Sequence, residues 1–183
     1  MFTADIGQNF VWTVHDLRLR DNQHLFMSPG NGPMGYSLPA AIGVYYATHR
    51  PVISLCGDGG MMMNLQEMQY VKRENLPIKI ICYNNHSLGM IRAWQERYLN
   101  KTSHTSESSG YLAADFEKIA KAFNFKYILI TDFKELSKID FSNQEPEFIE
   151  IVVPSDSDTK PRDKMSDQNP PLPRDIYEEL SRL

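Results

Sequence analysis

Two short apolar runs, residues 52–56 (VISLC) and 78–83 (IKIICY), each stop abruptly at a turn built from glycines or asparagines, with a helix-like stretch between them. Strands without an alternating polar face are buried on both sides, which in a single domain means a parallel sheet covered by helices. The rest of the chain keeps the alternation. Strand-like segments are expected at 25–28, 126–130 and 148–153, and helices at 34–48, 64–74, 89–98 and 115–124. In the last of these, Phe116, Ile119, Ala120 and Phe123 form one apolar stripe. The expected fold is α/β, three-layered, with a mostly parallel sheet and helices on both faces. Residues 101–110 (KTSHTSESSG) form a polar loop. Neither an internal repeat nor a domain boundary is visible, so residues 1–183 are expected to form one domain. Its tail, 154–183, carries Pro154, Pro161, Pro170, Pro171 and Pro173 and is expected to be extended, with a short helix at 176–180.

The formal charge of −4, from 19 Lys+Arg against 23 Asp+Glu, argues against a nucleic-acid partner, which needs a basic surface. No apolar run approaches the roughly 18 residues of a membrane span. The first residues lack the basic and apolar regions of a signal peptide. Cys56 and Cys82 lie within the apolar runs and read as small core residues, so the expected location is a reducing cytoplasm.

Three motifs sit where such a sheet places ligands, at the carboxyl ends of strands. Gly57-Asp58-Gly59-Gly60 follows the first run. Its glycines permit close approach to a ligand, and a following helix start favours an anion. Asp58 would repel a phosphate unless a hard cation, Mg²⁺ or Ca²⁺, lay between them; a tight turn with a capping Asp is the plainer alternative. Asn84-Asn85-His86-Ser87 follows the second run and offers neutral oxygens of the kind Mg²⁺ accepts. Alone it could be an Asn-rich turn, but the two motifs together, one strand–helix–strand unit apart, point to a shared metal and phosphate site. The third motif, Gly30-Asn31-Gly32-Pro33-Met34-Gly35, fits G-x-G-x-x-G, which leaves a non-catalytic dinucleotide-binding module as an alternative.

GDG followed at this interval by NN resembles the diphosphate-and-magnesium motif of thiamine diphosphate enzymes. Asp5-Ile6-Gly7-Gln8-Asn9, Gly32-Pro33-Met34-Gly35, residues 38–43 (LPAAIG), residues 74–77 (ENLP) and Leu88-Gly89-Met90 with Trp94 are similar to the C-terminal domain of the acetolactate synthase group. The likeness spans roughly residues 3–153. It implies that Asp58 and Asn85 hold Mg²⁺ with the Ser87 carbonyl. It implies that Gly59, Gly60, Leu88, Gly89 and Met90 surround the diphosphate, with Gln8 and Asn9 nearby. Met34 would wedge beneath the cofactor, the Gly32 carbonyl would receive its 4′-amino group, and Trp94 would border the substrate entrance, unless it only packs beside Met90 and Tyr98.

The implied activity is that of a carboligase acting on 2-oxo acids such as pyruvate, with a 2-oxo acid decarboxylase or a surface-sugar pathway lyase as alternatives. The latter is suggested by the Pro-rich tail with Asp163-Lys164-Met165-Ser166. The sequence departs from the family pattern at Gly60, where Ser is frequent, and at Asn9, where His often follows the Gln. No residue matches the family glutamate that protonates the pyrimidine ring from an N-terminal domain of the same or a neighbouring subunit, so no catalytic residue is expected in this chain. The expected partners are that domain and further copies of the chain, with no nucleic acid and no membrane. The sequence reads as a piece of a longer protein or as a naturally split subunit. The five histidines are expected at the surface or in loops, and Met61-Met62-Met63 in the core.

Overall fold

The computed structural model describes residues 1–157; the expectations for the Pro-rich tail beyond, its helix at 176–180 and residues 163–166 lie outside the described residues. The elements in chain order are β1 (Phe2–Ala4), α1 (Gln8–Asp16), β2 (Leu25–Phe26), α2 (Ser37–Thr48), β3 (Val52–Gly57), α3 (Asp58–Met61), α4 (Glu67–Arg73), β4 (Ile78–Asn84), α5 (Gly89–Leu99), α6 (Phe116–Ala122), β5 (Lys126–Ile130) and β6 (Glu147–Val152). Two short 3₁₀ turns, Glu107–Ser109 and Phe133–Lys138, complete the set.

The strands form one six-stranded sheet in the order β2-β1-β3-β4-β6-β5, and every strand pair in it is parallel. The sheet is therefore fully parallel rather than mostly so. The alternation of side chains along each strand divides the core in two. On one face Val52, Cys56, Ile78, Ile80, Cys82 and Phe148 pack against α2, α4 and α6; on the other Leu55, Ile81, Ile128, Ile130 and Ile149 form a second cluster. The second face is covered more thinly. Trp12 of α1 meets Tyr83 edge-on, with centroids 6.0 Å apart, and Ile139 beyond the second 3₁₀ turn packs against the same cluster.

Both cysteines are buried and free, as their apolar surroundings suggest. Of the methionine run only Met61 is core. Met62 and Met63 are 40% and 55% exposed, because α3 ends at Met61 and the chain turns outward. The 34–48 helix starts three residues late, at Ser37, because Gly35 takes a left-handed φ of 84°. Among the described residues no helix is long and apolar enough to cross a membrane.

Strand order decides where a ligand can sit. The chain runs outward from β1 to β2 on one side and from β3 to β4 on the other, so the crevice opens above the carboxyl ends of β1 and β3.

Candidate functional site

A cleft of about 300 Å³ occupies that crevice. Gln8 and Asn9 enter it from the start of α1. Gly32 and Met34 come from the loop before α2, Asp58, Gly59 and Gly60 from the turn after β3, and Asn85, Ser87, Leu88, Gly89 and Met90 from the turn after β4. The fold thus brings together every residue expected to hold a metal or cofactor. Trp94 stands apart. It lies one turn further along α5, half exposed, with its ring 5.5 Å from that of Tyr98, and does not line the cleft.

The two polar turns are tied to each other and to α1. Asn85 Nδ2 donates to Gln8 Oε1 at 3.0 Å, and Gln8 Nε2 donates to the Ser157 carbonyl at 2.8 Å. That chain fixes which way the Asn85 amide faces, because its nitrogen is taken. Asn85 Oδ1 is left to accept from the Ser87 backbone N–H at 3.2 Å, with a second lone pair to spare. The turn itself is backed by the 101–110 loop: Leu88 N and Ser87 Oγ both donate to the Thr105 carbonyl, at 2.8 and 2.6 Å.

A side chain at position 89 would displace the Gln8 and Asn85 amides. An added Cβ would stand 2.1 Å from Gln8 Oε1 and 2.7 Å from Asn85 Nδ2, so any side chain there breaks the link between the turns. Gly60 differs. A Cβ there would meet the Asp5 carboxylate at 3.1–3.3 Å, so the absence of a serine at this position spares a carboxylate with other work. Asp5 is buried and accepts from the backbone N–H groups of Ile6 and Gly35 and from Ser37 Oγ, at 2.8, 3.0 and 3.3 Å. It thereby pins the loop that carries Met34 against the end of β1. Burial raises its carboxyl above the usual range against these hydrogen bonds.

Asp58 is 3% exposed. One carboxylate oxygen accepts from Gly59 N–H at 2.9 Å; the other, Oδ2, is buried without a partner. Burial pushes the carboxyl up to about 6, against the hydrogen bond from Gly59. Among the described residues no Lys, Arg or His lines the cleft, and Asp58 is the one carboxylate that does. Among the described residues no three His, Cys, Asp or Glu side chains cluster, so a metal here would draw most of its oxygens from neutral groups and from a ligand.

Sequence reasoning did not assign roles to Asp5, Thr105 or Ser157. Asp5 stood within a quoted motif, whereas the other two are backbone acceptors that no side-chain pattern can reveal.

Residues 5–151 match the family described as thiamine pyrophosphate enzyme, C-terminal TPP binding domain. The chain is 41% identical over 133 residues to an acetolactate synthase large subunit of Pyropia yezoensis, covering 72% of this chain and 22% of that protein. It is 33% identical over 157 residues to the acetolactate synthase large subunit of Lactococcus lactis subsp. lactis (84% and 27%). With the large subunit of Escherichia coli acetolactate synthase isozyme 2 it shares 39% over 124 residues (66% and 22%). The chain spans about a quarter of the length of these relatives.

Proposed function

The chain belongs to the thiamine pyrophosphate enzymes, as their C-terminal TPP-binding domain, and from that premise we propose that its cleft holds the diphosphate of thiamine diphosphate through a Mg²⁺ ion, in the service of a carboligase that acts on 2-oxo acids such as pyruvate. The observation that carries the reading is the charge of the cleft. A diphosphate lowered beside Asp58, with no basic side chain among the described residues of the lining, needs a divalent cation between the two.

The residues present fit that ion. Asp58 Oδ2 is a buried oxygen without a partner, Asn85 Oδ1 is held facing away from Gln8, and the Ser87 carbonyl belongs to the same turn. Hard, mainly neutral oxygens of this kind suit Mg²⁺, which keeps phosphate oxygens and water for its remaining positions. The first turn of α5 adds N–H groups that have no partner inside the helix, and Gly59 and Gly60 let the backbone come close. Bound there, the cofactor would supply an electron sink for the negative charge left on the carbonyl carbon when a 2-oxo acid loses CO₂. The chain's own part is to fix the cofactor's place. Asp5 holds Gly35 and so fixes the loop that carries Gly32 and Met34, from which Met34 would support the cofactor's ring and the Gly32 carbonyl would receive its amino group. Asp58 being the one carboxylate among the described residues of the lining, the acid for the pyrimidine ring would come from another domain. Met34, Met90 and Ile91, 37–53% exposed at the rim, offer that domain or a second copy of the chain an apolar seat.

A 2-oxo acid decarboxylase would use the same cofactor site, and substrate assays separate it from a carboligase. The dinucleotide reading of residues 30–35 has less support. Gly35 is tied to Asp5, α2 begins only at Ser37, and Asp58 is buried in its own turn rather than free to meet a ribose. Calorimetric titration tests the proposal: thiamine diphosphate should bind saturably with Mg²⁺ and not in EDTA. Binding of NAD with indifference to thiamine diphosphate would overturn it.

Gly89→Ala follows as a direct probe of the link between the turns. Displacing the Gln8 amide loses its two hydrogen bonds, to Asn85 and to the Ser157 carbonyl, each worth about 1 kcal/mol. The affinity for thiamine diphosphate in excess Mg²⁺ should fall about tenfold or more by the same calorimetry, and an unchanged affinity would show that the link is dispensable.

A further inference from the structure

Beneath the metal-holding turn lies a buried polar chain that the cofactor reading does not use. Glu150, in the middle of β6, is 7% exposed, yet among the described residues its two partners are neutral: Asn84 Nδ2 donates to Oε1 at 2.6 Å and the Tyr127 hydroxyl to Oε2 at 2.5 Å. A carboxylate buried without a cation is costly, and a sheet position flanked by Phe148 and Ile149 could hold an apolar residue more cheaply. What it secures is Asn84, 1% exposed, whose Oδ1 accepts from the backbone N–H of His86 at 3.0 Å. His86 takes a left-handed φ of 50°, a conformation unfavourable for a residue with a Cβ, so the turn needs holding from outside.

We infer that Glu150 is a positioning residue for the metal: through Asn84 it fixes the His86 backbone, and so keeps Asn85 Oδ1 and the Ser87 carbonyl at the spacing that a small octahedral cation demands. The inference rests on the reading of this turn as the Mg²⁺ site. Three neighbouring strands cooperate in it, with Tyr127 on β5 and Glu150 on β6 reaching across the same face of the sheet to Asn84 at the end of β4. Partners that orient metal-holding groups in this way typically cost 10–100-fold in metal affinity when removed.

Mg²⁺ demands near-ideal octahedral geometry, whereas Ca²⁺ accepts flexible, larger shells. That difference separates positioning from general stability. In the full 183-residue chain, the concentration of each cation that half-saturates thiamine diphosphate binding is measured by calorimetry. Glu150→Ala should raise the Mg²⁺ requirement about 10–100-fold, and the Ca²⁺ requirement much less. Glu150→Gln, which keeps an acceptor for Asn84, should restore a Mg²⁺ requirement close to that of the parent. If Glu150→Ala fails to fold, Tyr127→Phe decides the matter; by loosening Glu150 it should raise the Mg²⁺ requirement about 2–10-fold. Parent-like Mg²⁺ dependence in the folded variant, or an equal rise for both cations, overturns the inference. Binding of thiamine diphosphate by the parent without any divalent cation would instead overturn the metal reading, and this inference with it.

Discussion

Replacing Asp58 by Ala should reduce the affinity for thiamine diphosphate in Mg²⁺ at least about 100-fold, or ~2.7 kcal/mol. It removes the only charged group among the proposed metal-holding atoms, where water can replace a neutral oxygen but not a negative charge. The same carboxylate burdens the metal-free chain. Burial raises it from an ordinary 3.8 to about 6, so between these values the folded state holds a proton that the unfolded state has released. The sign follows. In EDTA the stability associated with this group is fully present below about pH 4, falls as pH rises towards 6, and stays low above it. At ~1.4 kcal/mol per pH unit, Asp58→Asn should stabilise the metal-free chain at pH 7.5 by about 1–3 kcal/mol and have little effect at pH 4. Urea midpoints of parent and variant in EDTA at the two pH values provide the check, and an equal difference at both would refute the account. Saturating Mg²⁺ and thiamine diphosphate should reverse the order, because ligand bound only by the folded state adds stability. Metal binding needs the ionised carboxylate, so cofactor affinity should also weaken as pH falls through about 6.

The residues that build this site were legible because their chemistry is local. A strand that ends in GDG or NN places its proposed metal ligand in the next residue, and β3 and β4 indeed end at Gly57 and Asn84, one residue before Asp58 and Asn85. The first two elements were not legible. β1 has three residues, too few for any periodicity. α1 follows a glycine at φ 112° without a side-chain cap, and it buries Gln8, Asn9 and Thr13, so its inner face is polar where amphipathic reasoning looks for an apolar stripe. That inversion has a physical cause, since the start of the helix faces the cleft rather than a core. The Glu150 network was hidden for a different reason. Asn84 and Glu150 lie 66 residues apart, and they meet only because β6 inserts between β4 and β5. In sequence Glu150 is merely a charge interrupting an apolar strand.

A second interrupted strand leads to the other large effect. Lys79 breaks the apolar run of β4 and lies in register with Glu147 of β6, which lies in register with Lys126 of β5. Glu147 is fully buried and Lys79 is 5% exposed, with their charged atoms 2.9 Å apart; Lys126, its side chain 60% exposed, approaches Glu147 at 2.6 Å. The Lys79 ammonium also donates to Asn143 Oδ1 and to the Glu145 carbonyl, which ties the 139–146 loop to the sheet. The two ion pairs are unequal. The pair to Lys126 is wet on one side and worth less than about 1 kcal/mol, so Lys126→Met should be nearly neutral. Glu147→Leu is different, because it leaves the Lys79 ammonium buried with only neutral acceptors, at a cost of about 3–5 kcal/mol. Against a typical domain stability of about 5–15 kcal/mol, that is a large fraction of the whole. The double variant Lys79→Met with Glu147→Leu should recover most of the loss, since removing both charges also removes their desolvation. Urea unfolding at pH 7 of the two single variants and the double variant measures the coupling. A loss below about 1 kcal/mol for Glu147→Leu would mean that Lys79 reaches water without its carboxylate, and a double variant no better than Glu147→Leu would mean that the glutamate is held for its shape rather than its charge.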